Sequence, residues 1–174
     1  MSEKESRPAD ARGNPTTAER PSDRELVVAR TFDAPPRLVF RAWTTPELML
    51  RWWAPASFGI TFVSCEMDPR PGGRYRFVFT HPSFPEPMAF FGRYLEVVPN
   101  ERLVWTNEEA GEAGQVTTVT FVEEDGRTRL VMHDLYPSKE ALEEAVASGS
   151  TSGTSECWAQ LDGVLAASDG SLAP

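Results

Sequence analysis

The feature that most constrains this chain is a period of two in hydrophobicity, which starts near Ile60 and recurs as far as Leu135. Successive side chains of an extended strand point to opposite faces, so the pattern marks strands with one buried face. Arg74 to Thr80 is the cleanest case, with Tyr75, Phe77 and Phe79 on one face and Arg74, Arg76 and Val78 on the other. Ile60 to Met67 precedes it, closed by Asp68-Pro69-Arg70-Pro71-Gly72-Gly73, a dense turn signal. Met88 to Val98, Leu103 to Thr106, Val116 to Glu123 and Thr128 to Leu135 follow. His81 to Pro87 holds three prolines and reads as a loop, Pro99-Asn100 as a hairpin turn, and Glu108 to Gly114 as an acidic loop. Asp125-Gly126 is a favoured type I′ hairpin pair. Strands in series joined by turns give an antiparallel sheet. Gly92, mid-strand between Phe91 and Arg93, marks a bulge or the close approach of another backbone.

Helical patterns flank this run. Leu26, Val28 and Phe32 alternate with Val27, Ala29 and Thr31, which predicts a first strand ended by Ala34-Pro35-Pro36. Arg37 to Trp43 then reads as a short helix, with Val39 and Trp43 four apart on one face. Thr45, Pro46 and Glu47 open a second one as N-cap, first helical residue and first-turn acid. Trp43, Trp52 and Trp53 crowd this segment, and so much apolar area must either fill a core or line a pocket. Towards the C-terminus, Ser138 caps a helix carrying Leu142 and Val146. Ser148 to Thr154 is a poor helix sequence, and from Ser155 the stripe Cys157, Trp158, Leu161, Val164 and Leu165 resumes. The expected class is α+β: a curved antiparallel sheet with two short helices after its first strand and a long final helix of roughly four turns across its concave side. Met1 to Ser22 lacks large apolar residues almost entirely and is expected to be a disordered tail, with one domain over residues 23–170.

Charge removes several function classes. The formal net charge is -9, which opposes a phosphate backbone and an anionic membrane surface, so neither nucleic acid nor membrane is an expected partner. The N-terminus lacks a signal-peptide pattern, and a cytoplasmic location is expected. Cys65 and Cys157 belong to no C-x-x-C motif and read as small buried hydrophobes. The chain has only two histidines, and His81, His133, Cys65, Cys157 and Asp134 show no metal-ligand spacing, so no metal or other cofactor is expected. There is no G-x-S-x-G elbow, and Gly72-Gly73 leads into a strand rather than a phosphate-binding helix. Glu66, Glu96, Asp134 and His133 sit on strands and are the candidates for acid–base work; no catalytic residue is assigned.

Several segments together resemble a known superfamily. Arg30-Thr-Phe-Asp-Ala-Pro35, Val39-Phe40-x-Ala42-Trp43-Thr44-x-Pro46, Arg51-Trp52-Trp53-x-Pro55 and Arg70-Pro-Gly-Gly-Arg-Tyr75 resemble START-like (SRPBCC) helix-grip proteins. The branch they look most like is the one named after the C-terminal domain of the activator of Hsp90 ATPase. Gly92-x-Tyr94-x-Glu96-Val-Val-Pro99-x-Glu101-Arg-Leu103, Asp125-Gly126-x-Thr128-x-Leu130 and Trp158-x-x-Leu161 extend the resemblance from Arg24 to Ser168. It implies an apolar cavity between the sheet and the final helix. Trp43, Trp53, Phe58, Phe77, Phe79 and Phe90 are candidate lining residues, as are Tyr94, Trp105, Met132, Cys157, Trp158 and Leu161. The function implied first is non-enzymatic binding of a small apolar molecule by a monomer or homodimer. A chaperone-interacting or stress-related role is the second implication, and a cofactor-free cyclase or hydrolase the third. The fold hosts all three.

Overall fold

In the computed structural model, residues 15–108, 114–147 and 153–168 are described. Eight strands form one antiparallel sheet: β1 (Thr17–Ser22), β2 (Glu25–Phe32), β3 (Thr61–Met67), β4 (Arg74–Thr80), β5 (Met88–Val98), β6 (Arg102–Thr106), β7 (Val116–Glu124) and β8 (Arg127–Leu135). Their spatial order is β1-β2-β8-β7-β6-β5-β4-β3. The helices are α1 (Pro36–Thr44), α2 (Pro46–Trp52), α3 (Lys139–Ala147) and α4 (Thr154–Ser168), with a single 3-10 turn at Ala56–Phe58.

Local chemistry explains the boundaries. Pro36 and Pro46 each occupy the first position of a helix, where a missing N–H leaves no bond unmade. The Ser138 hydroxyl accepts the Ala141 N–H at 3.1 Å and caps α3. Asp125 and Gly126 both adopt positive φ, 53° and 79°, as a type I′ turn requires.

The sheet curves because β5 serves two partners. Its first half pairs with β4, from Met88 opposite Phe79 to Arg93 opposite Arg74. Its second half pairs with β6, from Tyr94 opposite Trp105 to Val98 opposite Arg102. Gly92 stands at the corner: a Cβ there would lie 1.9 Å from the Thr106 carbonyl oxygen. Of the two roles the sequence left open at Gly92, close backbone approach is the one found.

Inside the curve, α4 closes the core. Its buried stripe is Cys157, Trp158, Leu161, Val164 and Leu165, and the Trp158 ring meets Phe32 of β2 edge-on at 5.7 Å. A buried ion pair ties helix to sheet: the Arg30 guanidinium of β2 donates to the Asp162 carboxylate and, at 2.9 Å, to the Trp158 carbonyl. Arg30 also lies 4.5 Å above the Phe32 ring centre.

One expectation needs correcting. Thr17–Ser22, read as part of a disordered tail, is a strand paired with β2 from Thr17 opposite Ala29 to Ser22 opposite Glu25. Its side chains are exposed throughout, so composition carried no sign of it. An edge strand is held by its backbone ladder and needs no apolar residue. Met1 to Asn14, the acidic loop from Glu109 to Ala113 and the weak helix sequence from Ser148 to Ser152 lie outside the described residues.

Candidate ligand-binding site

Between the concave face and the helices lies a cavity of about 550 Å³. Its floor is the inward phase of the strands: Phe77 and Phe79 of β4, Phe90 and Tyr94 of β5, Trp105 of β6 and Met132 of β8. Its roof is Trp43 of α1, Trp53 and Phe58 after α2, and Cys157 and Trp158 of α4. The rings brace one another at edge-to-face distances that suit aromatic pairs, Trp43 to Trp53 at 5.6 Å, Trp53 to Phe77 at 5.6 Å and Phe79 to Phe90 at 5.3 Å. Phe58 and Phe90, 39% and 44% exposed, form the rim rather than the interior. Leu161 does not line the space. It is fully buried in the packing of α4 against its neighbours, one turn beyond Trp158. The Trp43 indole N–H is buried without an acceptor among the described residues.

The roof is clipped in place by polar side chains of α4. Glu156 accepts the Ser57 N–H at 2.7 Å and the Ser57 hydroxyl. Gln160 accepts the Ala56 N–H at 2.8 Å and donates to the Trp52 and Ala54 carbonyls at 3.1 and 2.8 Å. The Cys157 thiol donates to the Trp53 carbonyl at 3.0 Å. These bonds satisfy the chain where α2 ends and no regular partner exists, and so fix the angle of Trp53 and Phe58. Gly153 fits where a Cβ would sit 2.6 Å from the Pro55 ring. On the far side, His81 accepts the Ser83 N–H at Nδ1, at 3.0 Å, and so donates from Nε2 to the Phe58 carbonyl, also at 3.0 Å.

One end of the cavity is polar. Asp134 of β8 is 6% exposed, and the Thr117 hydroxyl of β7, directly opposite, donates to it at 2.6 Å. Asn107 donates to Thr117 at 3.1 Å, and the Tyr75 hydroxyl donates to Asn107 Oδ1 at 3.3 Å and to the Thr106 carbonyl at 2.7 Å. Gln115 and Tyr136 complete this end. Burial pushes the Asp134 carboxyl above its ordinary 3.8, against hydrogen bonds from Thr117 and Gln115 that pull it down. Burial likewise raises the phenols of Tyr94 and Tyr136.

Of the four residues considered for acid–base work, Asp134 alone faces the cavity. His133 points to the other face and meets Glu25 at 2.8 Å, Glu96 faces Arg102 at 3.5 Å, and Glu66 is exposed. Burial holds the Cys157 thiol at about 12, which keeps it protonated and poorly nucleophilic. No group of three metal-ligating side chains occurs among the described residues.

The sequence names the aromatic wall and, among four acid–base candidates, Asp134, but not Thr117, Asn107 and Tyr75 around it or the clip. A signal for part of the polar end was present. Thr117 shares its phase with Val119 and Phe121, and Asp134 shares its phase with Leu130 and Met132, so both had to point inward. Nothing comparable marked Glu156 and Gln160, whose partners are backbone groups about a hundred residues away.

A curved antiparallel sheet gripping a C-terminal helix over an aromatic cavity defines a START-like helix-grip protein. The chain belongs to the family described as Activator of Hsp90 ATPase homolog 1-like protein, whose model matches residues 33–166. Solved structures agree. A Rhodobacter sphaeroides protein, 27% identical, superposes with a TM-score of 0.79 over 88% of this chain and 99% of its own. A Mycobacterium smegmatis protein, 28% identical, gives 0.75 over 88% and 99%. A Nitrosomonas europaea protein, 22% identical, gives 0.77 over 87% and 99%, a likeness of fold alone. Among curated proteins, none matches the chain.

Proposed function

We propose that this protein binds a small, mostly apolar molecule in the cytoplasm, holds it between the sheet and α4, and does so without transforming it. The observation that carries this reading is the space itself: about 550 Å³ walled largely by aromatic rings, within the size range of pockets that enclose small molecules. A chaperone-docking reading would be favoured by a filled interior beneath an exposed apolar patch. Here Trp43, Trp53, Phe77, Phe79 and Trp105 surround an open volume, so the interior is not filled.

The test is titration of the protein with N-phenyl-1-naphthylamine, an uncharged fluorescent probe, beside a denaturant melt of Trp158→Ala. Trp158 is 1% exposed and borders the cavity, so its truncation should cost about 3–5 kcal/mol and enlarge the site. The wild type is expected to bind the probe with a change in Trp emission. Loss of stability in the variant with no probe bound by either protein would mean a solid core and would end the carrier reading.

A further inference from the structure

The polar end of the cavity has a direction. Asn107 donates to Thr117 and Thr117 donates to Asp134, while the single Tyr75 hydroxyl proton goes mainly to the Thr106 carbonyl at 2.7 Å and only weakly to Asn107 at 3.3 Å. The series ends on a carboxylate. A carboxylate offers about four lone-pair sites and, when ionised, accepts only. Thr117 and Gln115 supply two hydrogen bonds to it, so acceptor capacity remains on a group that borders the open volume. The rest of the lining sharpens the point. Among the described residues around the cavity none is Arg, Lys or His, and Asp134 is the sole carboxylate. A ligand anion brought here would lose its hydration, meet no cation, and face a carboxyl group. A hydroxyl or an ammonium group would instead find an acceptor, and, at a pH above the raised pKa of Asp134 where the group is ionised, an ammonium group would also find the opposite charge.

We propose that this cavity selects its ligand by the head group: an apolar body seated on the aromatic wall and a hydrogen-bond-donating head, neutral or cationic, accepted by Asp134, with carboxylates and other anions turned away. The proposal rests on the cavity reading above and narrows it to a class that excludes fatty-acid-like anions. Thr117 and Asn107 act as positioning residues through the hydrogen bonds that lead to the carboxyl, and with Tyr75 they line the cavity beside it. The burial of the group gives the selection its strength, because an uncompensated charge is costly where water is scarce.

Four probes with one apolar body test it: 2-ethylnaphthalene, 2-(2-naphthyl)ethanol, 2-(2-naphthyl)ethylamine and 2-naphthylacetate, each titrated into the full-length wild type while Trp emission is followed. The alcohol and the amine should bind about tenfold more tightly than 2-ethylnaphthalene, as one hydrogen bond to a charged or polarised acceptor allows. The acetate should bind at least about tenfold more weakly than 2-ethylnaphthalene. Asp134→Asn, which keeps an acceptor oxygen and removes the charge, separates the two donor sources: it should abolish any advantage of the amine over the alcohol while the alcohol keeps most of its affinity. Equal affinity for all four probes in the wild type, or tightest binding of the acetate, overturns head-group selection and leaves the cavity reading standing. Failure of 2-ethylnaphthalene and the other three to bind at all overturns both. The wild-type series decides the question whether or not the variant folds.

Discussion

Gly92→Ala isolates the corner on which both the curvature of the sheet and the polar end of the cavity depend. The added Cβ would stand 1.9 Å from the Thr106 carbonyl oxygen, 2.8 Å from its carbonyl carbon and 3.0 Å from its hydroxyl. Ordinary contact begins near 3.4 Å, so β5 and the end of β6 must separate by roughly 1.5 Å. That movement breaks bonds as well as packing. Thr106 accepts the Tyr75 hydroxyl at 2.7 Å and the Arg93 N–H at 2.9 Å, and the Glu108 backbone N–H donates to the Phe91 carbonyl at 2.9 Å across the same corner. Overpacking contributes about 1–3 kcal/mol and each lost hydrogen bond about 1 kcal/mol. The expected loss is therefore about 4–6 kcal/mol, which for a chain of this size lowers the melting temperature by roughly 8–24 °C. Asn107 follows directly after Thr106, so the variant should also lose part of its preference for donor-headed probes. Gly163→Ala is the matched control: on the exposed side of α4 a Cβ there meets nothing within 4 Å, and a helical glycine replaced by alanine should gain about 0.5–1 kcal/mol. Calorimetry of the two variants checks both signs. A Gly92→Ala protein that melts with the wild type would refute the reasoning, since the corner would then have slack that the contact distances deny.

Removing Met1 to Ser22 should lower stability by about 1–2 kcal/mol in a denaturant melt, because β2 loses the ladder supplied by Thr17–Ser22; an unchanged midpoint would show that β1 adds nothing. Asp162→Ala should cost about 3–5 kcal/mol by leaving the Arg30 guanidinium buried against Trp158 and Phe32 without its carboxylate, whereas Arg30→Met with Asp162→Leu should lie much closer to the wild type. For Asp134, faced by Thr117 and Gln115 and flanked by His133 and Tyr136, the folded carboxyl binds its proton more tightly than the unfolded one. Its folded state thus holds the extra proton above pH 3.8, and stability should fall as pH rises from there through the raised pKa, a slope that Asp134→Asn should flatten in melts across that range. Glu156 has the opposite sign: the Ser57 hydroxyl holds its carboxyl below 4.5, so its contribution to the roof is lost as pH falls below that value.

How much of this was legible in the sequence depends on where each signal is stored. Arg74–Thr80 lies where alternation put it, because aromatic residues at every second place leave one phase for the buried face. Pro36 and Pro46 announced α1 and α2 for a reason equally local. The pairing of Thr117 with Asp134 was also within reach. A two-residue turn at Asp125-Gly126 pairs residues equally distant from it, and both lie eight positions away, 125 minus 117 and 134 minus 126. What no local pattern could reveal is β1, whose side chains bury nothing, and the Arg30–Asp162 pair, which joins a strand to a helix across the whole domain. For Leu161 the helical stripe correctly indicated burial. It did not say whether the neighbour would be a wall of side chains or an open volume, because a stripe records only which side is inward.

The shape of the cavity bears on the proposed function. It opens at a rim formed by Phe58 and Phe90, so water or a ligand fills it. The wall decides which occupant gains more. Water at the polar end finds Asp134, Thr117 and Gln115, but against Trp53, Phe77 and Trp105 it finds no partner and is readily displaced. A molecule with an apolar body and a donor head replaces the poorly held water and reproduces the bonds of the well-held water. Its binding should also raise the melting temperature in proportion to the logarithm of its concentration above the dissociation constant.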